Sequence, residues 1–233
     1  MSSDSTERSN QRDSNVRRRY VADSWFAGRY GTLRTERKDR NPHEFRVTDR
    51  RREPVIVWLN GAFGVGRTTV SRQLARSLPG ARIFDPEIVG RMLRALIPEP
   101  IDDFQDWPAW RALVAETALA LRRHYRSTVI APMTLLRHDY ATEIFSILAG
   151  RGAPIRHVVL HADVAELTRR IDADRDEIAA RSWRRRHLAA YQEALGWLRA
   201  QAEVVDTTGL APPEVARCVA DLLTTAPAMP GPR

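Results

Sequence analysis

Val55-Ile56-Val57-Trp58-Leu59-Asn60-Gly61-Ala62-Phe63-Gly64-Val65-Gly66-Arg67-Thr68-Thr69-Val70 is the stretch on which the fold turns. The unbroken apolar run from Val55 to Leu59 matches a strand buried on both faces of a parallel sheet. Asn60-Gly61 ends it. From Thr68 to Leu78 the apolar residues Val70, Leu74, Ala75 and Leu78 form a helical stripe, with Arg72, Gln73 and Arg76 off it. Between strand and helix, Gly61 to Thr68 follows the phosphate-loop pattern G-x-x-x-x-G-K-[ST], with Arg67 where Lys is expected. Glycines there let backbone N–H groups turn inward onto phosphate oxygens. The helix start adds partial positive charge, and the Thr68 hydroxyl suits Mg²⁺. An accidental glycine-rich turn would need neither these flanks nor Thr68, so Gly61 through Thr69 are read as the phosphate site. Lysine is a compact point charge and guanidinium a longer fork, so Arg67 is expected to keep nucleotide binding and to slow or alter transfer.

Downstream the alternation continues. Strands are predicted at Ala81–Phe84, Thr128–Ala131, Ile155–Leu160 and Val204-Val205. Helices are predicted at Glu87–Leu96, Ala109–Tyr125, Asp139–Leu148, Val164–Ile171, Trp183–Ala202 and Pro212–Leu223. Five strands alternating with helices imply an α/β fold, a five-stranded parallel sheet covered on both faces.

Upstream of Pro54 the text differs. Residues 1–53 hold 14 Arg or Lys against 9 Asp or Glu, with few aliphatic residues and no sustained period. Such a segment cannot bury enough apolar surface to offset chain entropy, so it is read as a disordered Arg-rich extension. The domain is placed at 54–225, and the proline-rich residues 226–233 are expected to fray. The net charge of +8 divides unevenly, leaving only +3 for the chain after residue 53. Lys38 is the sole lysine, which points to a coding bias toward Arg as much as to a basic partner surface. Nucleic acid is thus the weakest of the partner readings. The lone Cys218 excludes a disulfide framework, and no apolar run reaches the length of a membrane span. A cytoplasmic setting is expected, peripheral membrane contact staying open, and the oligomeric state is not readable.

Asp85 stands just past the second strand, at the edge where open α/β sheets bind ligands. A carboxylate there can accept a hydroxyl proton or hold Mg²⁺ through water. Asp85-Pro86-Glu87 is also a good helix start, so capping is its plainer role. The third strand ends Ala131-Pro132-Met133-Thr134, without an acid, which leaves Thr68 and Asp85 as the metal candidates. His157 and His161 fall in a strand, about 13 Å apart by strand rise, and cannot share a metal. Cys218 is expected to be a small core residue of the last helix.

Val57-Trp58-Leu59-Asn60-Gly61-Ala62-Phe63-Gly64, Phe84-Asp85-Pro86-Glu87, Asp102-Asp103-Phe104-Gln105, Pro108-Ala109-Trp110-Arg111 and Ala131-Pro132-Met133-Thr134, in that order, make the chain resemble the ATP-binding tunicamycin-resistance proteins of bacteria, in the phosphate-loop nucleotide-kinase class. The resemblance runs from about Val55 to about Leu223, and the family pattern has Lys at the position of Arg67. It implies a kinase-like fold, ATP with Mg²⁺, and resistance to a nucleoside-containing antibiotic. In such a kinase Phe104, Trp107, Trp110 and Arg111 would meet the acceptor, the rings by stacking and Arg111 by pairing with an anionic group. Core packing is the competing role for Trp110. Arg170, Arg175, Arg181 and Arg184-Arg185-Arg186 would lie where a lid closes over phosphates and could offset developing charge there.

The leading expectation is an ATP- and Mg²⁺-dependent phosphotransferase of a small-molecule acceptor such as a nucleoside antibiotic. A non-catalytic ATP-binding protein that sequesters the antibiotic is the alternative, and a nucleic-acid binder acting through the Arg-rich extension comes third.

Overall fold

The computed structural model describes residues 53–175 and 178–225. The expected disordered extension, apart from Glu53, and the expected frayed tail 226–233 lie outside the described residues. By internal packing the described residues fall into two units, the first holding 174–175 and 178–179 and the second 53–173 and 180–225. The second holds the sheet and its helices.

Elements follow in the order β1 (Ile56–Gly61), α1 (Arg67–Ser77), β2 (Arg82–Ile83), α2 (Glu87–Leu96), a 3-10 turn (Phe104–Asp106), α3 (Pro108–Tyr125), β3 (Val129–Pro132), α4 (His138–Gly150), β4 (Ile155–His161), α5 (Val164–Ala173), α6 (Arg181–Gln201), β5 (Glu203–Asp206) and α7 (Pro212–Thr225). The five strands lie in the order β2-β3-β1-β4-β5, every pair parallel, as the sequence predicts.

Because strand side chains alternate between faces, β1 seeds two cores. Val57 and Leu59 face Val70 and Leu74 of α1, Leu167 and Ile171 of α5, Leu188 and Leu198 of α6, and Val215 and Val219 of α7. Ile56 and Trp58 face Val89 and Leu93 of α2, Trp110 and Val114 of α3, and Ile144 and Leu148 of α4. All of β1 is buried, so its unbroken hydrophobicity is the signature of a strand with no wet face. The outer pair β4–β5 carries a buried charge as well. Arg156 donates to Glu203 at 2.6 Å and to the Leu222 carbonyl at 2.8 Å, which ties two strands to α7.

Parallel strands put their C-terminal ends on one edge of the sheet. There the phosphate loop, Asp85 after β2 and Thr134 after β3 emerge together. Cys218 departs from expectation, since it is exposed on α7 and packs no core. Among the described residues no helix is long and apolar enough to cross a membrane.

Candidate active site

Asn60, the last side chain of β1 before the glycines, organises the edge. Its Oδ1 accepts from the backbone N–H of Gly61 at 2.8 Å and of Leu135 at 2.9 Å. Its Nδ2 donates to the Leu135 carbonyl at 2.8 Å and lies 3.1 Å from His157 Nε2. Thr134 adds a bond from its hydroxyl to the Gly61 carbonyl at 3.0 Å. The loops after β1 and β3 are thereby fixed to each other. Burial pushes the His157 imidazole down to about 4, so the ring is neutral and can accept from Asn60.

The phosphate loop leaves this anchor with Ala62 and Val65 buried as pegs, so what it offers to the cleft is backbone. Gly66 is the N-cap of α1 at φ 96°, supplies no side-chain cap, and is followed by a first turn without acidic residues. A Cβ built on Gly66 would meet nothing within 4 Å, so the space beside it is open where a phosphate would sit. Arg67 reaches back across the loop, with its guanidinium carbon 5.5 Å from the centre of the Phe63 ring. Burial pushes the Tyr191 phenol up to about 12 while Arg199 and Arg67 pull it down, which places Arg67 within electrostatic range of α6. The Tyr191 hydroxyl stands 2.8 Å from His161 Nδ1.

A cavity of about 420 Å³ opens from the loop, lined by Gly64, Val65, Gly66 and Thr69 on one side and by Arg170, Thr207, Gly209, Leu210 and Pro212 on the others. Arg170 closes its wall. It donates to Glu166 at 2.6 Å, to the Thr207 hydroxyl and carbonyl each at 3.0 Å, and to the Val65 carbonyl at 3.4 Å. Arg169 and Arg170 together hold the Glu166 carboxyl at about 2. Arg170 therefore joins the phosphate loop to the turn after β5, a tie that periodicity does not reveal.

The other sequence-predicted residues divide. Asp85 is 7% exposed; its Oδ1 accepts from the Glu87 N–H at 2.9 Å, the expected cap, and its Oδ2 lies 3.7 Å from Arg91. Arg181 opens α6 half-buried, Arg184 is buried, and Arg185 donates to Asp172 at 2.9 Å. Arg175 is exposed and belongs to the segment Asp174–Ala179 of the first unit.

The residues expected at the acceptor are engaged by packing to different degrees. Trp110 is 0% exposed and donates its indole N–H to the Pro86 carbonyl at 3.1 Å, so it is core. Phe104 lies on Gly90, where an added Cβ would come within 2.6 Å of the ring. Trp110 at 5.3 Å and Arg94 at 5.3 Å cover it further. Trp107 packs on the same core. The Arg111 guanidinium is engaged by Glu143, by the Gln105 carbonyl at 2.6 Å and by the Tyr140 ring at 4.1 Å. Trp110 and Arg111 are thus buried, while Phe104 and Trp107 stay half-exposed beside them. Aromatic surface at the loop comes from α6. Trp183 and His187 meet Phe63 edge-on at 4.8 Å and 5.6 Å. Their only signal in the sequence is an i, i+4 ring pair inside an arginine-rich stretch.

The donors suit a phosphate-bound cation. Among the described residues no three His, Cys, Asp or Glu side chains gather as a metal cage. Mg²⁺ held by phosphates takes only one or two protein ligands, and Thr68 in the first turn of α1 and Asp85 on the same sheet edge are the residues that could supply them.

A model of the AAA domain family matches residues 56–205. Among solved structures the chain is similar to the tunicamycin resistance protein of Deinococcus radiodurans, at 28% identity and TM-score 0.61, covering 76% of this chain and 99% of that one. The resemblance expected from the sequence is thus found. The APS kinase of Mycobacterium tuberculosis, in complex with AMPPNP and APS, matches at 18% identity and TM-score 0.57 over 74% of this chain and 99% of its own. A gluconokinase of Sinorhizobium meliloti matches at 19% and 0.51 over 76% and 99%. At these identities the last two likenesses are of fold, that of small-molecule kinases. No curated protein matches the chain.

Proposed function

We propose, from the premise that this chain belongs to the AAA domain family, that it is an ATP- and Mg²⁺-dependent phosphotransferase of a small-molecule acceptor, linked to resistance to nucleoside antibiotics of the tunicamycin type. The observation that carries the reading is the cavity of about 420 Å³ that begins at the glycine loop, a size suited to a nucleotide. ATP with Mg²⁺, when bound, supplies a phosphoryl group activated for transfer. The loop amides and the start of α1 bind the phosphates, and the Thr68 hydroxyl ligates the cation. Arg67, folded back over Phe63, brings its charge to the phosphates. Arg170 fixes the wall of the cavity through Thr207. Asp85, positioned by the Glu87 amide and beside Arg91, orients the acceptor hydroxyl and takes its proton. The antibiotic link rests on the likeness to the Deinococcus protein. The setting we propose is the cytoplasm.

One observation favours a second reading. Arg67 replaces the lysine of the pattern, and a guanidinium that binds phosphate well without favouring transfer would suit a protein that sequesters the antibiotic. Calorimetric titration with ATP–Mg²⁺ followed by mass spectrometry of tunicamycin after incubation separates the two. Phosphorylated product is expected, at a rate cut by roughly 10²-fold in Asp85→Asn, which keeps the cap oxygen and loses the charge. Product formed equally fast by Asp85→Asn would remove Asp85 from the chemistry. Cell protection without product would establish sequestration.

A further inference from the structure

We propose that Trp183, at the start of α6, is the platform on which the acceptor lies, and that the acceptor carries a flat, neutral or anionic ring there; this rests on the phosphotransferase reading and sharpens it. Of the rings that the sequence offers, Trp110 is core and Phe104 and Trp107 are half-buried against it around Gly90 and α3. Trp183 is more open than any of them. It is 44% exposed although its ring centre lies 4.8 Å from Phe63 of the phosphate loop. A lone exposed indole on a protein surface is ordinary; one in contact with a phosphate loop is within reach of a group brought up to that loop.

Geometry around the indole makes it a fixed surface. The His187 ring packs 4.0 Å from it, and His187 Nδ1 lies 2.7 Å from the Trp183 carbonyl, an oxygen that only accepts, so Nδ1 carries the proton and the imidazole is locked. Phe63 meets Trp183 at 68° and has the Arg67 guanidinium 5.5 Å from its centre. Indole, phenyl ring and guanidinium thus run as one wall from the platform to the phosphate loop. A group resting on Trp183 is set beside the charge that faces the phosphates.

Charge narrows the class of ligand. An indole face takes flat π systems and cations. Arg67, its guanidinium carbon 5.5 Å from the centre of the adjoining Phe63 ring, sets positive charge beside this one, which disfavours a cation and accepts a neutral or anionic ring such as a nucleobase, while Arg185 is already paired with Asp172. A pre-ordered platform also loses little entropy on binding.

Isothermal titration of the full chain loaded with AMPPNP and Mg²⁺ reads this without turnover, using uridine, tunicamycin and gluconate as probes. At least one of the two ring-bearing probes is expected to bind and gluconate is not. Trp183→Ala should weaken that binding about tenfold or more, and Trp183→Phe should restore most of it. AMPPNP affinity should change less than about twofold in both variants, with melting curves checking that each is folded. Equal affinity in Trp183→Ala and parent, preference for gluconate, or failure of both ring-bearing probes overturns the proposal. Ring binding that depends on Trp183 without any phosphorylated product from ATP would leave the platform standing and remove the transfer reading.

Discussion

Burial moves the His157 imidazole from 6.5 to about 4, and that shift has a stability consequence with a definite sign. Between those values an unfolded chain takes up a proton that the folded chain refuses. Stability contributed by neutral His157 is therefore complete above about 6.5, falls as pH drops through the window, and levels off below about 4. At 1.36 kcal/mol per unit the whole loss is about 3 kcal/mol. Urea unfolding at pH 7 and pH 4.5 should show most of it in the parent protein. His157→Gln, whose amide oxygen can still accept from Asn60, should lose that part of the slope; an unchanged slope would place the titration elsewhere. Asp85 was legible at this scale in both its aspects, as a cap from Asp-Pro-Glu and as a sheet-edge carboxylate from its place after β2. Asn60 and His157 were not legible as partners. A strand's period says which face a side chain takes, not which distant group it meets there.

Elements were read closely where local chemistry marks them. α2 runs Glu87–Leu96 as its periodicity predicts, and β1 begins one residue inside the apolar run. α6 begins at Arg181, two residues ahead of expectation, because its N-cap Ala180 has no capping side chain to announce it. The 3-10 turn deceived in another way. Its one aromatic residue, Phe104, is half-buried on Gly90 of α2, a contact with no Cβ in between that periodicity does not show. The tie between α5 and the turn after β5 is likewise tertiary, and it can be tested as a unit. Thr207→Val keeps the shape of a buried side chain and removes the hydroxyl that accepts from Arg170 at 3.0 Å and donates to the His161 carbonyl at 3.0 Å. Loss of a bond to a charged group should weaken ATP binding on the order of tenfold. Calorimetry checks this, and unaltered affinity would detach the tie from nucleotide binding.

For the whole molecule, the composition break at Pro54 has a physical counterpart. Arg122 on α3 donates to the Pro54 carbonyl and to Glu53, each at 2.6 Å, so the folded unit takes hold of the chain there. Deleting residues 1–53, which removes Glu53 and its ion pair with Arg122, should leave ATP affinity within about twofold and shift the melting temperature by only a few degrees, since an exposed ion pair of this kind contributes up to about 1 kcal/mol. A collapse of either would mean that the extension belongs to the domain. The anchor at Asn60 also governs when this protein can begin to work. Asn60 bonds to Leu135 across 75 residues and to His157 across 97, while Thr134 reaches Gly61 across 73. A chain emerging from the ribosome thus carries its phosphate loop early and shapeless, because the residues that set it are translated long afterwards. Loop closure over such separations is slow and comes late in folding. Under the proposed function, nucleotide capture is then expected only of the finished chain, and a nascent or truncated copy ending before β4 is expected to stay silent toward ATP however correct its glycine motif.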